Sequence, residues 1–85
     1  PVIITEAGWT TKSSGRGIEV WNASHELQAQ YCKELMAWSH EEQILTFVFE
    51  AFDEPWKGSP DSDEPEKYWG VYTVERKPKL VMQEL

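Results

Sequence analysis

Residues 44 to 58 read Ile44-Leu45-Thr46-Phe47-Val48-Phe49-Glu50-Ala51-Phe52-Asp53-Glu54-Pro55-Trp56-Lys57-Gly58. The first six are apolar save one threonine and do not alternate, which is the pattern of a strand buried on both faces. Pro55 and Gly58 cannot continue a ladder, so the chain leaves that strand through a cluster of carboxylates. The chain opens on the same plan: Val2-Ile3-Ile4-Thr5 is a β-branched run that ends on Glu6 and then Ala7-Gly8-Trp9. A charged carboxylate at the rim of a core is costly unless it is paired, hydrogen-bonded or put to use.

The first strand, roughly Val2 to Thr5, leads into a polar loop from Thr10 to Gly17. Ser24 is placed to N-cap a helix, with Glu26 in its first turn where the helix dipole favours an acid. Leu27, Tyr31, Leu35 and Trp38 then recur at helical spacing as one apolar face, and His40-Glu41-Glu42-Gln43 closes the element. After the second strand come an acidic, proline-bearing loop from Ser59 to Lys67, a short aromatic segment Tyr68-Trp69-Gly70-Val71-Tyr72, and a last helix from about Lys79.

Two apolar strands joined through a helix predict a βαβ unit with parallel strands and a right-handed crossover. Such strands need cover on both faces, which four elements cannot supply. The predicted fold class is therefore α/β, as part of a larger sheet. Two βα repeats with long loops fit roughly a quarter to a third of a (β/α)8 barrel of ~250 residues. A start at Pro1, hard against a strand, and an end at Leu85 within a helical pattern lead us to expect an excised piece of a larger domain.

Fifteen acidic against eight basic residues give a net charge of −7, which argues against nucleic acid or an anionic membrane surface as partner. No apolar run approaches the ~20 residues that span a bilayer. Cys32 is the single cysteine, so no disulfide closes within the chain; in a helical pattern it reads as a packed thiol. His25 and His40 stand fifteen positions apart without a third imidazole and read as surface residues. Asp61-Ser62-Asp63-Glu64-Pro65-Glu66 lacks the glycine and glutamate of a calcium loop and reads as a solvated acidic loop, with Glu66 the member able to reach a ligand. No metal site and no cofactor are expected. Asn22-Ala23-Ser24 is a glycosylation sequon that doubles as a plain helix start.

In parallel α/β folds the loops after the strands converge on the site, so Glu6 and the acids of 50–54 would crowd one rim. Like charges held close raise one another's pKa, so a merely structural rim gains nothing from them. Trp9, Trp56, Trp69, Tyr68 and Tyr72 lie around these acids. Carboxylates among aromatic rings suit sugar chemistry: rings stack on the apolar faces of pyranoses and acidic oxygens accept from hydroxyls. Trp9 and Trp69 can also be packing residues beneath the loops, a reading of equal weight for Trp9, whereas Trp56, between a proline and a lysine, reads as a ligand contact.

Ile4-Thr5-Glu6-Ala7-Gly8-Trp9 resembles the strand-seven motif of the β-1,3-glucanases of glycoside hydrolase family seventeen. Phe49-Glu50-Ala51-Phe52-Asp53-Glu54-Pro55-Trp56-Lys57 is similar, nearly residue for residue, to the strand-eight segment of fungal and bacterial members. Tyr68-Trp69-Gly70-Val71-Tyr72 with Lys77-Pro78-Lys79 resembles the family's last loop and entry to helix eight. The resemblance implies that residues 1–85 are one partial catalytic domain, strand seven to the start of helix eight of a TIM barrel. It implies a retaining glycosidase for β-1,3-glucan, with Glu6 as nucleophile and an acid/base after strand four, outside this chain. It further implies that Glu54, Lys57 and Glu66 hold sugar hydroxyls, that Lys57 beside Glu54 and Glu6 keeps the carboxylates ionised, and that Trp9, Trp56 and Trp69 line the substrate. The rest of the barrel is an implied partner, and a secreted, periplasmic or cell-wall location an implied setting. Thr10 and Thr11 depart from the proline that follows Gly-Trp in many relatives, which leaves the subsite loop open. A β-1,3-glucanosyltransferase, or a glucan-binding remnant without catalysis, is the alternative reading.

Overall fold

The computed structural model describes residues 1–84; Leu85, which the sequence reading includes in the last helix, lies outside the described residues. Two strands, β1 (Ile4–Ala7) and β2 (Thr46–Val48), pair in parallel and are joined by the helix α1 (His25–Glu42). The expected βαβ connection is therefore present. β1 has the predicted length but lies two residues further along the chain, and β2 is shorter than predicted. Val2, Ile3 and Leu45 are exposed outside the ladder, and Phe47 and Val48 are exposed within it. The expectation of burial on both faces is not met among the described residues, because no layer of structure packs on the outer face of the pair.

The register carries an irregularity. Ile4 pairs with Thr46 and Ala7 with Val48, so three steps along β1 match two along β2. The extra residue leaves Thr5 and Glu6 both exposed, where a regular pleat would send them to opposite faces. Hydrogen bonds from Ile4 N to Leu45 O (3.0 Å) and from Phe49 N to Ala7 O (2.8 Å) pin the two ends of this bulge.

The start of α1 follows its sequence signal: Ser24 is extended, and its hydroxyl accepts from Leu27 N at 3.0 Å. Its end is a left-handed Gln43 (φ 55°) whose N–H bonds back to the last turn. The buried stripe differs from the predicted one. Gln28, Ala29 and Cys32 are buried, Leu27, Tyr31 and Leu35 are half-buried, and Trp38 is exposed. Cys32 is a packed thiol as expected, and burial pushes its pKa up. It meets Val81 of the short helix α2 (Leu80–Gln83), whose start after Pro78 matches the sequence reading.

Beyond β2 the chain runs irregularly, bonded to the aromatic segment rather than to a strand. Glu50 N donates to Trp69 O, Val71 N to Glu50 O, Tyr72 N to Ala51 O, Asp53 N to Tyr72 O and Glu54 N to Lys67 O. Gly70 makes this approach possible, since a Cβ there would lie 2.2 Å from Asp53 N. Polar side chains hold the loops together. Lys79, Asp53, Thr10, Thr11, Gln28, Glu64 and Lys67 are all buried. Glu64 corrects the reading of its loop as wholly solvated: its carboxylate accepts from Ser59 N at 2.9 Å. Among the described residues no helix is long and apolar enough to cross a membrane.

Candidate active site

Glu6 leaves the C-terminal half of β1 with an exposed side chain and lines a cleft of about 430 Å3 with Ala7, Gly8, Tyr31, Phe49, Glu66 and Trp69. Its backbone is fixed from below. A Cβ on Gly8 would lie 1.8 Å from Phe49 O, so only glycine lets the end of β1 settle against the end of β2. Trp69 packs edge-on to Phe49, ring centroids 6.1 Å apart, and forms a wall of the cleft. Its indole nitrogen is buried without a partner among the described residues.

A second cleft, about 400 Å3, is lined by Trp9, Thr10, Arg16, Gly17, Ile18 and Pro65, and it shares Gly8, Tyr31, Glu66 and Trp69 with the first. Trp9 both packs and lines. Its ring sits 5.2 Å from that of Tyr31, and its N–H donates to Asn22 O at 2.7 Å, while the remaining face borders the cleft. Glu66 is exposed and borders both clefts.

The other acids form a separate group. Lys57 Nζ contacts the Glu54 carboxylate and lies 3.5 Å from Glu50 Oε1. Burial, and then a hydrogen bond with Glu54, raise the Glu50 carboxyl to about 7, against the opposing charge of Lys57. Glu54, accepting from Glu50 and Lys57, is held below the usual carboxylate range, and Lys57 above the usual lysine range by its bond to Glu54. Two carboxylates side by side in a half-buried setting thus have their proton affinities driven apart, with the ammonium in contact with the more acidic one. Among the described residues the ion pairs of Lys57 are with Glu50 and Glu54, and none is with Glu6. Trp56 is 72% exposed and borders a third cleft, about 300 Å3, with Glu50, Glu54, Phe52 and Arg76. Asp53 turns inward instead. Its Oδ1 accepts from Gly70 N at 2.9 Å and from Lys79 Nζ at 2.8 Å, so it holds the loops rather than a ligand.

Tyr31 is the cleft residue that sequence reasoning missed, because its spacing from Leu27 and Leu35 made it a core residue of α1. Its ring, half-buried, packs on Trp9 at a loop, and helical spacing alone does not tell that setting from a core one.

A parallel β-α-β unit that presents carboxylates and aromatic rings at the C-terminal ends of its strands is a piece of an α/β fold of the kind that builds its site at that end. The family model for glycosyl hydrolases family 17 matches residues 1–83, and the chain belongs to that family. It is 37% identical over 87 residues to a glucan 1,3-beta-glucosidase of Arthroderma benhamiae, covering 93% of this chain and 27% of that protein. It is 35% identical over 75 residues to a glucan endo-1,3-beta-glucosidase of Brassica campestris, covering 85% and 21%. In three dimensions it resembles an endo-laminarinase from Formosa (TM-score 0.89, 32% identity, 99% of this chain and 22% of that one). It also resembles an active-site mutant of the Rhizomucor miehei beta-1,3-glucanosyltransferase in complex with laminaritriose (TM-score 0.78, 28% identity, 95% and 28%). The chain spans about a quarter of the length of the curated relatives it matches.

Proposed function

We propose that this chain carries the nucleophile of a retaining glycoside hydrolase acting on β-1,3-glucan, with Glu6 in that role. The observation that carries the reading is Glu6 itself: an exposed carboxylate on a bulged strand end, in a cleft walled by Trp69 and bordered by Glu66. In this mechanism a Glu6 oxygen attacks the anomeric carbon as the glycosidic oxygen leaves with a proton from an acid outside this chain. Water then displaces Glu6 from the glycosyl-enzyme, and the same group takes its proton. Trp69 and Trp9 supply apolar faces for the sugar rings, and Glu66 and the Glu54–Lys57 pair supply partners for hydroxyls. The chain would supply strands seven and eight of the barrel, with the segment beyond Lys79 entering helix eight. Because the substrate is a polymer, we further propose that the protein works outside the cytoplasm. The likeness to a glucanosyltransferase supports a second reading for the deglycosylation step, in which a sugar hydroxyl replaces water.

The test is Glu6→Gln in the full-length protein. The expected result is a loss of at least ~10³-fold in turnover with laminarin-type oligosaccharide binding retained. A trapped 2-fluoro-glycosyl adduct on Glu6 would agree with it. Near-normal turnover by the variant, or an adduct on another side chain, would end the assignment. A glucan-binding remnant predicts no turnover in the unaltered protein. Residues 1–85 alone are expected to be inactive, since the acid is outside them.

A further inference from the structure

Glu50 lies deeper than the two charged groups it touches. Its side chain is 14% exposed, against 24% for Glu54 and 32% for Lys57. The aromatic segment fixes its backbone on both sides, Glu50 N donating to Trp69 O at 3.2 Å and Glu50 O accepting from Val71 N at 2.9 Å. The side chain therefore leaves from a set point, and it does not line the cleft at Glu6. One carboxyl oxygen, Oε1, has Lys57 Nζ 3.5 Å away; the other, Oε2, is buried and meets no donor among the described residues. A buried acceptor left so costs free energy, and the Glu54 carboxylate beside it adds repulsion when both groups are ionised. A proton on Glu50 relieves this contact, because the carboxyl then donates to Glu54.

We propose that Glu50 is a positioning residue: its carboxyl, while protonated, donates to Glu54 and holds the Glu54–Lys57 pair in the arrangement that meets glucan hydroxyls. This rests on the reading of that pair as a partner for hydroxyls. The Glu50 carboxyl is raised to about 7, so the arrangement is complete in mild acid and is undone through neutrality. There the proton passes to solvent, and two carboxylates compete for one ammonium. Glu54, the more exposed of the two, is the one free to move away. The other charges nearby are engaged elsewhere. Lys79, which feels the Glu50 charge, is committed to Asp53 at 2.8 Å. Arg76 borders the same cleft but lies over the Phe52 ring, 3.8 Å from its centroid. The Tyr68 hydroxyl donates to Ser62 O, the Tyr72 ring packs on Phe52, and Glu6 of β1 lines the other cleft.

The experiment measures, by calorimetry, the affinity of the full-length protein for a sulfur-linked laminaritriose from about pH 5 to about pH 8. A thioglycosidic linkage resists cleavage, so the assignment of Glu6 does not enter. Glu50→Gln keeps a donor toward Glu54 and cannot ionise, whereas Glu50→Ala removes the donor at every pH. For the unaltered protein we expect affinity to fall about tenfold across that range relative to Glu50→Gln, the scale of one lost hydrogen bond. Glu50→Ala should bind weakly throughout, without that slope. Equal slopes for the unaltered protein and Glu50→Gln, or equal affinities of the two variants, would overturn the proposal. Lys57→Met separates it from the reading on which it rests. If that variant weakens binding while Glu50→Gln titrates like the unaltered protein, the positioning role fails alone. If it binds as tightly as the unaltered protein, the pair is no partner of the sugar and both readings fall.

Discussion

Lys79 Nζ lies 2.8 Å from Asp53 Oδ1, and both side chains are withdrawn from solvent, 2% and 11% exposed. The same ammonium donates to Thr11 Oγ1 at 3.0 Å and Tyr68 O at 3.2 Å, so its three donors tie together the loops after β1 and β2 and the aromatic segment. Burial pushes the Lys79 pKa down, and Asp53 resists that shift. A single ion pair thereby holds the loops that bear Trp9, Glu54 and Trp69.

Asp53→Ala would leave the Lys79 charge buried with only neutral acceptors. We expect a loss of about 3–5 kcal/mol, the cost typical of breaking a buried pair from one side. Urea unfolding of the full-length protein checks this. The double variant Asp53→Ala/Lys79→Met should be less destabilised than the sum of the two singles, because it leaves no charge stranded.

Glu50 gives a pH dependence of definite sign. Its carboxyl is raised in the fold to about 7 from an ordinary 4.5, so between those values the folded protein keeps a proton that the unfolded chain releases. Stability contributed by this group is full below about pH 4.5 and is lost as pH rises toward about 7. Glu54, held low by Glu50 and Lys57, acts in the opposite sense, contributing stability that is lost only as pH falls below its ordinary value. Glu50→Gln keeps a donor toward Glu54 and removes the proton that titrates. Its melting temperature should therefore fall less steeply between pH 4.5 and 7 than that of the unaltered protein. Parallel curves for the two proteins would refute the raised Glu50 carboxyl.

Gly8→Ala tests how Glu6 is held. The added carbon would meet Phe49 O at 1.8 Å, and a backbone carbonyl in a strand end cannot swing aside. Overpacking in a tight contact costs about 1–3 kcal/mol or more. Activity should suffer beyond what stability explains, since the displaced segment carries Glu6. A melting temperature lowered with kcat intact would show that the contact is structural only.

The parallel pair, the helix between its strands, the Ser24 cap and the start of α2 were all legible in the sequence, because apolar runs and capping residues act locally. Strand bounds were not: Val2, Ile3 and Leu45 are apolar, but the described residues offer them no partner. The buried face of α1 was misjudged for a different reason. It packs against loop carbonyls, and Gln28 is buried there to donate to Trp9 O and Gly70 O, a need that no hydrophobic period reveals. The acids show the same divide. Glu6, Glu66 and Trp69 line one cleft, each standing at the end of a strand or in a loop that the sequence marks. By contrast, the opposed fates of Glu50, Asp53 and Glu54 depend on the path of an irregular segment and on residues far along the chain, Lys79 and Gly70.

The bulge between Ile4 and Ala7 makes length, and not only identity, a requirement of the site. Leu45 O grips the chain at one end of it and Phe49 N at the other, with Gly8 wedged immediately beyond. Exposed Thr5 can change its side chain freely. Losing or gaining a residue there would instead invert the facing of everything up to the next anchor and turn the carboxylate away from its groove. Across natural variants, the spacing between these two anchors should therefore be more constant than the residues that fill it.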